Sequence, residues 1–587
     1  MSRRPLTVSG LVASLAVALA LSGCVSIPES SSVREGREVD VQGEPRVINN
    51  IPVGPSPGAS PLDVVSGYFA AMLAYPQTYD VAREYLTPTA AASWTPGGTV
   101  VVYDKQAIVE RGGFVAVEGD ILGSLDDRGT WTTAPPGQSS LRTQFRLTQI
   151  DGEWRIVNPL PALYVDRDFF QRSYSQFSLY FFDPTQLVLT PDPVYLLIGD
   201  DTASTLVDNL LHGPTRDLTG IVETLVPDGL ELDGPVEVSS TGAASVPLSD
   251  QILTIDESDR QLFAAQLTWT LRQLPEVADV SVTLDGEALD IAGVGTRIGD
   301  DELTGYDPAG LSASRQLFAL SPKGLVRLDS DGVVLESGPI SEASMGARAV
   351  AVDQTGQLGA VVSGDGRTVY VGGVNAGSEQ EERVWLTGAT NLLRPSWDVH
   401  GVLWVVDRQP GGSVVRAMTG PGAGEPLSTP EGLSGKDIQG FAVSRDGVRF
   451  AAVVAEGDEA RLVIAKIDRL DDRPRQVMLL RLREVLSPDI TLTGISGLAW
   501  SSPTDVVLLA NGEAGDRQVY EVSIDGSAVE AMTGFLPSRP LSLAAGSNED
   551  APLAIGGRNG NVYVQTPDFQ WVEVPSAQRL WAPSYPG

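Results

Sequence analysis

Apolar residues at Val64, Val65, Tyr68, Phe69, Met72 and Leu73 recur at three- and four-residue intervals, so they share one helical face. The helix is expected to open at Asp63, and a second to cover Tyr79–Leu86 and halt at Pro88. The period then changes to two. "TVVVYD", "GFVAVEG" and "GTWTTA" read as strands, and "SLRTQFRLTQIDGEWRIVNP" reads as a hairpin turning at Asp151-Gly152. Helices followed by an antiparallel sheet make an α+β domain, bounded here at residues 60–185.

A second α/β unit is expected over 190–300. "VYLLI" is a strand, and Ser204 is a candidate N-cap for a helix ending at "LLHGPT", where Gly213 and Pro214 stop it. "DESDRQLFAAQLTWTLRQLP" is a long helix with acids in its first turn, and "VADVSVTLDGEAL" a strand turning at Asp285-Gly286. "IGDDEL" (298–303) reads as a linker.

The C-terminal part, 312–587, repeats. "AVAVDQTGQLGAVVS", "RPSWDVHGVLWVVD", "GFAVSRDGVRFAAVV", "GLAWSSPTDVVLLA" and "LSLAAGSNEDAPLAIGG" align on Val352, Trp397, Val443, Trp500 and Leu543, with spacings of 45, 46, 57 and 43. The long spacing holds "RPRQVMLLRLREV", read as an insert. Four strands in about 40–45 residues is the period of a β-propeller blade. Residues 315–336 supply three strands without a first, and the terminal "APSYPG" echoes "RPSWDV". The last segment is therefore expected to complete the first blade and close a ring of six; five and seven blades stay open as alternatives.

The chain's single cysteine fixes the view of the N-terminus. A basic start with Arg3 and Arg4 leads into an apolar run from Leu6 to Leu21, then Leu21-Ser22-Gly23-Cys24. About sixteen apolar residues are short for a membrane span but suit a secretory signal, giving a signal peptide over 1–23. Cys24 is the candidate lipidation site, as an N-palmitoyl, S-diacylglycerol cysteine after cleavage. Two or more acyl chains hold a protein stably at a membrane. A buried or free cysteine and an uncleaved anchor are the alternatives. Residues 24–59, with "PESSSVREGREV" and "PVGPSPGAS", read as a disordered tether.

The formal net charge is −34, which argues against a nucleic-acid partner. The acid excess peaks at residues 190–311, with 23 Asp and Glu against 4 Arg. Such a field serves as a solubilising surface or as a docking face for a basic partner.

Candidate chemistry is sparse. His212 and His400 are the only histidines, each without a cysteine or second histidine near it in sequence. Zinc usually takes three or four N or S ligands, so no metal site is expected, and no cofactor. No G-x-S-x-G, phosphate loop or H-E-x-x-H occurs, and no catalytic residues are assigned. Tryptophans 397, 404, 500 and 571 follow the strand period and read as blade core.

The first domain resembles the cystatin/NTF2-like class. The pieces "LLHGPT", "VETLVPDGLEL", "AASVPLSD" and "LTWTLRQLPEVADVSVTLDG" are similar, in order and spacing, to the GerMN module of spore-germination proteins. Lipobox, tether, NTF2-like region, GerMN and propeller, in this order, resemble the actinobacterial LpqB lipoprotein family. That resemblance implies a non-enzymatic accessory lipoprotein on the outer side of the cytoplasmic membrane. It also implies association with the extracellular domain of an MtrB-like sensor histidine kinase, acting on MtrA–MtrB signalling in envelope homeostasis and division. An envelope glycan binder and a propeller-type glycan hydrolase or lyase are the alternatives.

Overall fold

The computed structural model describes residues 51–587 apart from 75–77, 97, 136, 300, 309–314, 330–331, 423, 458, 471–472, 486–491, 513–514, 516, 533, 538 and 547–550. The signal segment, Cys24 and most of the tether lie outside the described residues.

The first helix runs Pro61–Met72. The Ser60 hydroxyl accepts the Asp63 amide and the Asp63 carboxylate accepts the Ser60 amide, a reciprocal cap that satisfies two otherwise free donors. Val64, Val65, Tyr68, Phe69 and Met72 are buried, as the periodicity requires. Pro88 halts nothing. The second helix, Asp80–Glu84, ends before it, and Pro88 opens a third, Pro88–Ser93, capped by Thr87. Proline's missing amide is harmless in a first turn. Strands Val100–Arg111 and Phe114–Leu125 form the core of the sheet over these helices, with Tyr68 and Phe69 edge-on to Phe145. Asp151 and Gly152 both take positive φ, 52° and 84°, in the tight hairpin joining Leu147–Ile150 to Glu153–Ile156. Ser140–Phe145, read as part of that hairpin, pairs with Phe114–Leu125 instead.

The strand Tyr174–Phe182 pairs along its length with Leu189–Leu197 and packs in the second domain's core. It therefore falls on that domain's side of the boundary drawn at 185. The long helix Glu257–Leu271, capped by Asp256, crosses over between the parallel strands Ala243–Pro247 and Asp279–Leu284. Its Gln266 amide donates to the Tyr180 carbonyl, its Thr270 hydroxyl accepts the Tyr180 amide, and Gln273 bonds both backbone groups of Ser178. Side chains thus close a strand edge that would otherwise be open. Two expectations fail here. Ser204 lies inside the helix Thr202–Leu211 and accepts the Val236 amide. The segment 298–303 is no free linker: Ile298 bridges Val280, and Ile298 and Leu303 are buried in the domain core.

Six sheets make the propeller. Five run in chain order. The first combines Leu317–Ser321, Gly324–Asp329 and Gly332–Leu335 with the final strand Trp581–Ser584, where Phe318 pairs with Ser584 and Leu320 with Trp581. The six inner strands pack on one another in a closed circuit. Val352, Trp397, Val443 and Trp500 each end an inner strand. "RPRQVMLLRLREV" is not an insert. It forms the outermost strand of the fourth blade, Arg473–Glu484, against Glu459–Leu470. The third blade has three strands, extended by a single bridge between Arg416 and Pro426.

Candidate functional site

The two histidines part company. His212 is exposed at a helix end, its Nδ1 2.7 Å from the Asp208 carbonyl. His400, on a turn of the third blade, is buried with its Nε2 3.3 Å from the carboxylate of Asp183, which belongs to the second domain. Burial pushes the Asp183 carboxyl up, but the nearby His400 ring and hydrogen bonds from Thr185 and the Val188 amide outweigh it and hold the group below its ordinary range. His400 is a rivet between two domains. Among the described residues, no group of three or more His, Cys, Asp or Glu is placed to hold a metal.

The fourth blade adds cations along the same pair of domains. Arg449, fully buried, pairs with Asp446 at 3.0 Å and donates to the Pro191 carbonyl of the second domain at 2.5 Å. Lys466 pairs with Asp217, and Arg481 donates to the Arg216 carbonyl at 3.3 Å. Burial opposes ionisation of Asp217, yet Lys466 and Arg483 draw its carboxyl down to about 2. Burial brings Lys466 down to about 8 against the pull of Asp217. Part of the acidic field read from the sequence is thus neutralised inside the molecule. Asp200, Asp201, Asp208, Asp228, Glu231 and Glu237 stay exposed on the second domain.

A carboxyl held below its unfolded value adds stability above the unfolded pKa, and loses it as pH falls through the folded one. Asp217→Asn is therefore expected to be less stable than wild type by about 1–2 kcal/mol at pH 5–7, allowing for partial solvent screening. That gap should close as pH drops from about 4 towards 2. Urea midpoints of both proteins across this range check it. A gap constant with pH would show that the Lys466 pair is not its source.

The loop around Arg128 helps tie the first domain to the second. The Arg128 guanidinium donates to the carbonyls of Asn209, Gly213 and Pro214, where the helix ends in "LLHGPT". A cation is favourable at that end of a helix. Thr215 of the same motif donates its amide and hydroxyl to the buried Asp192, at 2.6 and 2.9 Å. The Gly129 carbonyl accepts the Tyr195 amide at 2.8 Å. Gly129 has φ of 82°, and a Cβ there would lie 2.4 Å from the Tyr195 carbonyl oxygen. The Tyr195 hydroxyl meets Ser527 of the propeller at 2.6 Å, and Thr133 donates to the Gly526 carbonyl. All three domains therefore meet around Tyr195. In the sequence, Asp192 and Asp217 count only within the acid excess of residues 190–311, and "LLHGPT" reads as a helix stop.

The propeller's centre holds a cavity of about 60 Å³, lined among others by Arg394, Phe441, Arg445, Trp500 and Tyr585. Arg394 precedes the inner strand of the third blade and reaches the far side of the ring. It donates to the Ser584 hydroxyl at 2.9 Å and to the Leu543 carbonyl at 3.4 Å. Burial lowers its pKa to about 10. Among the described residues lining the cavity there is no Asp or Glu side chain. Trp397, Trp404 and Trp500 are buried and Trp571 half-buried, as blade core.

Among the described residues no helix is long and apolar enough to cross a membrane. Family models match in three stretches: lipoprotein LpqB, N-terminal domain, at 54–171; sporulation and spore germination, at 178–290; and lipoprotein LpqB beta-propeller domain, at 323–586. Lipoprotein LpqB of Mycobacterium bovis (strain BCG / Pasteur 1173P2) is 30% identical over 94% of this chain and 95% of its own. Lipoprotein LpqB of Thermobifida fusca is 27% identical over 99% of both chains. Among solved structures, the first GerMN domain of the sporulation protein GerM from Bacillus subtilis is similar over 22% of this chain and 95% of its own, at 22% identity and a TM-score of 0.19. With three consecutive domain matches and relatives aligned almost end to end, the chain belongs to the LpqB lipoprotein family.

Proposed function

We propose that lipid on Cys24 holds the chain on the outer face of the cytoplasmic membrane. There it works as a non-catalytic accessory of an MtrB-type sensor histidine kinase, modulating MtrA–MtrB signalling in envelope homeostasis and division. The lipobox Leu21-Ser22-Gly23-Cys24 and membership of a lipoprotein family support the anchor. Anchoring raises the effective concentration of the chain near a membrane-bound partner. The observation that carries the scaffold reading is the joining of three domains by buried and half-buried side chains. Glycan hydrolysis by the common route needs two carboxyl groups about 5–9.5 Å apart, and no Asp or Glu side chain lines that channel among the described residues. The acidic surface left exposed on the second domain suits a basic partner face.

The test is a pull-down from detergent-solubilised membranes with wild type and Cys24→Ala. Recovery of a sensor kinase with wild type and its depletion with the variant is the expected result. Equal recovery with both would assign recognition to the folded domains and leave the lipid only a concentrating role. Glycan or envelope enzymes in place of a kinase would overturn the signalling reading.

A further inference from the structure

The central channel holds a cation whose contacts on the described residues are neutral. Arg394 is enveloped by protein, yet it keeps some accessible surface. Arg394 lines the channel cavity. Its two bonds go to a hydroxyl and a peptide carbonyl, whereas a guanidinium carries five N–H donors. A charge withdrawn from water is costly unless an opposite charge meets it.

We propose that this channel is a binding site for a small oxyanion, a carboxylate or phosphate group, held by the Arg394 guanidinium; Arg445, which already has the opposite charge of Asp307 near it, adds positive potential from the same cavity wall. The fork of a guanidinium matches two oxygens of either group. The space fits that size. One water needs about 10–15 Å³ of such volume, so about 60 Å³ admits a group of four or five heavy atoms. Phe441, Leu498 and Trp500 make part of its wall apolar, which strengthens the pull of the charge on an anion beside it. The Tyr585 hydroxyl is occupied by the Pro552 carbonyl at 2.6 Å, so selectivity rests on the arginines. The site is independent of the kinase reading, since it concerns the propeller interior alone.

The experiment is a calorimetric titration of the full chain in detergent with inorganic phosphate and, separately, with succinate, at constant ionic strength set by chloride. Saturable one-site binding of at least one probe, with Kd below about 1 mM, is expected. Arg394→Gln should weaken it at least tenfold and Arg445→Gln should also weaken it. Ser584→Ala removes an internal bond of Arg394 without removing its charge, and should retain binding. Response to phosphate alone assigns the phosphate class, and response to succinate alone the carboxylate class. Absence of saturable binding by either probe, or binding unchanged by both arginine substitutions, would overturn the proposal. If Arg394→Gln fails to fold, Arg394→Lys decides: it keeps the charge but loses the fork, and should weaken binding.

Discussion

A chain lacking residues 581–587 is expected to lose the folded propeller. These seven residues bind three blades at once. Trp581–Ser584 completes the first blade against Leu317–Ser321, the Trp581 indole donates to the Ala347 carbonyl at 2.9 Å, and the Gly587 amide to the Val352 carbonyl at 2.9 Å. The Tyr585 hydroxyl reaches Pro552 of the sixth blade. Removing them uncovers Phe318, Leu320, Val350 and Val352, which are at most 1% exposed. It also leaves the strand Leu317–Ser321 as an open apolar edge, the form of edge that promotes aggregation. Withdrawing burial from two large aromatic side chains and the strand beneath them costs at least ~5 kcal/mol, at roughly 1.5–3 kcal/mol for each buried side chain. That is the size of a whole domain's stability. Limited proteolysis and near-ultraviolet circular dichroism read the outcome. A truncated chain as protease-resistant as wild type would show that ring closure does not depend on this strand.

Asp398→Ala should cost about 3–5 kcal/mol, the price of breaking a buried ion pair from one side. Asp398 and Arg469 face each other at 2.6 Å, and neither side chain is exposed. The same carboxylate accepts the Trp404 indole at 2.9 Å and the amides of His400 and Val402. Alanine strands a guanidinium and an indole N–H together, and frees the turn that carries His400 to Asp183. Urea midpoints should fall sharply for Asp398→Ala. The double variant Asp398→Leu with Arg469→Met should recover much of the loss, because removing both charges removes the penalty on each. A single variant within 1 kcal/mol of wild type would show that water reaches the pair.

Much of this fold could be read before any coordinates. The two-residue period, the repeated inner strand and the echo of "RPSW" in "APSY" favour six blades over five or seven and give the origin of the missing strand, because each blade obeys local rules. What the sequence hid depends on distant partners. Tyr174–Phe182 carries no mark of its domain, since its mate Leu189–Leu197 and the Gln266, Thr270 and Gln273 that close its edge are only assembled by folding. Pro88 reads equally as a stop and a start until the helix before it is seen to end at Glu84. Lys466 and Asp217 look like ordinary surface charges, and nothing local shows that one meets the other across a domain seam. Arg394 gives the same lesson for the channel, for "RPSW" announces a strand but not an arginine crossing the ring.

The first blade also sets an order of events. Its three early strands are made before the other five blades, and the fourth only after all of them. Without that fourth strand the six sheets form an open arc, and the contacts that close it have the longest sequence separation in the propeller. Contacts of this kind form late and slowly. Closure of the first blade by Trp581–Ser584 is therefore expected to be the late step in folding of the propeller.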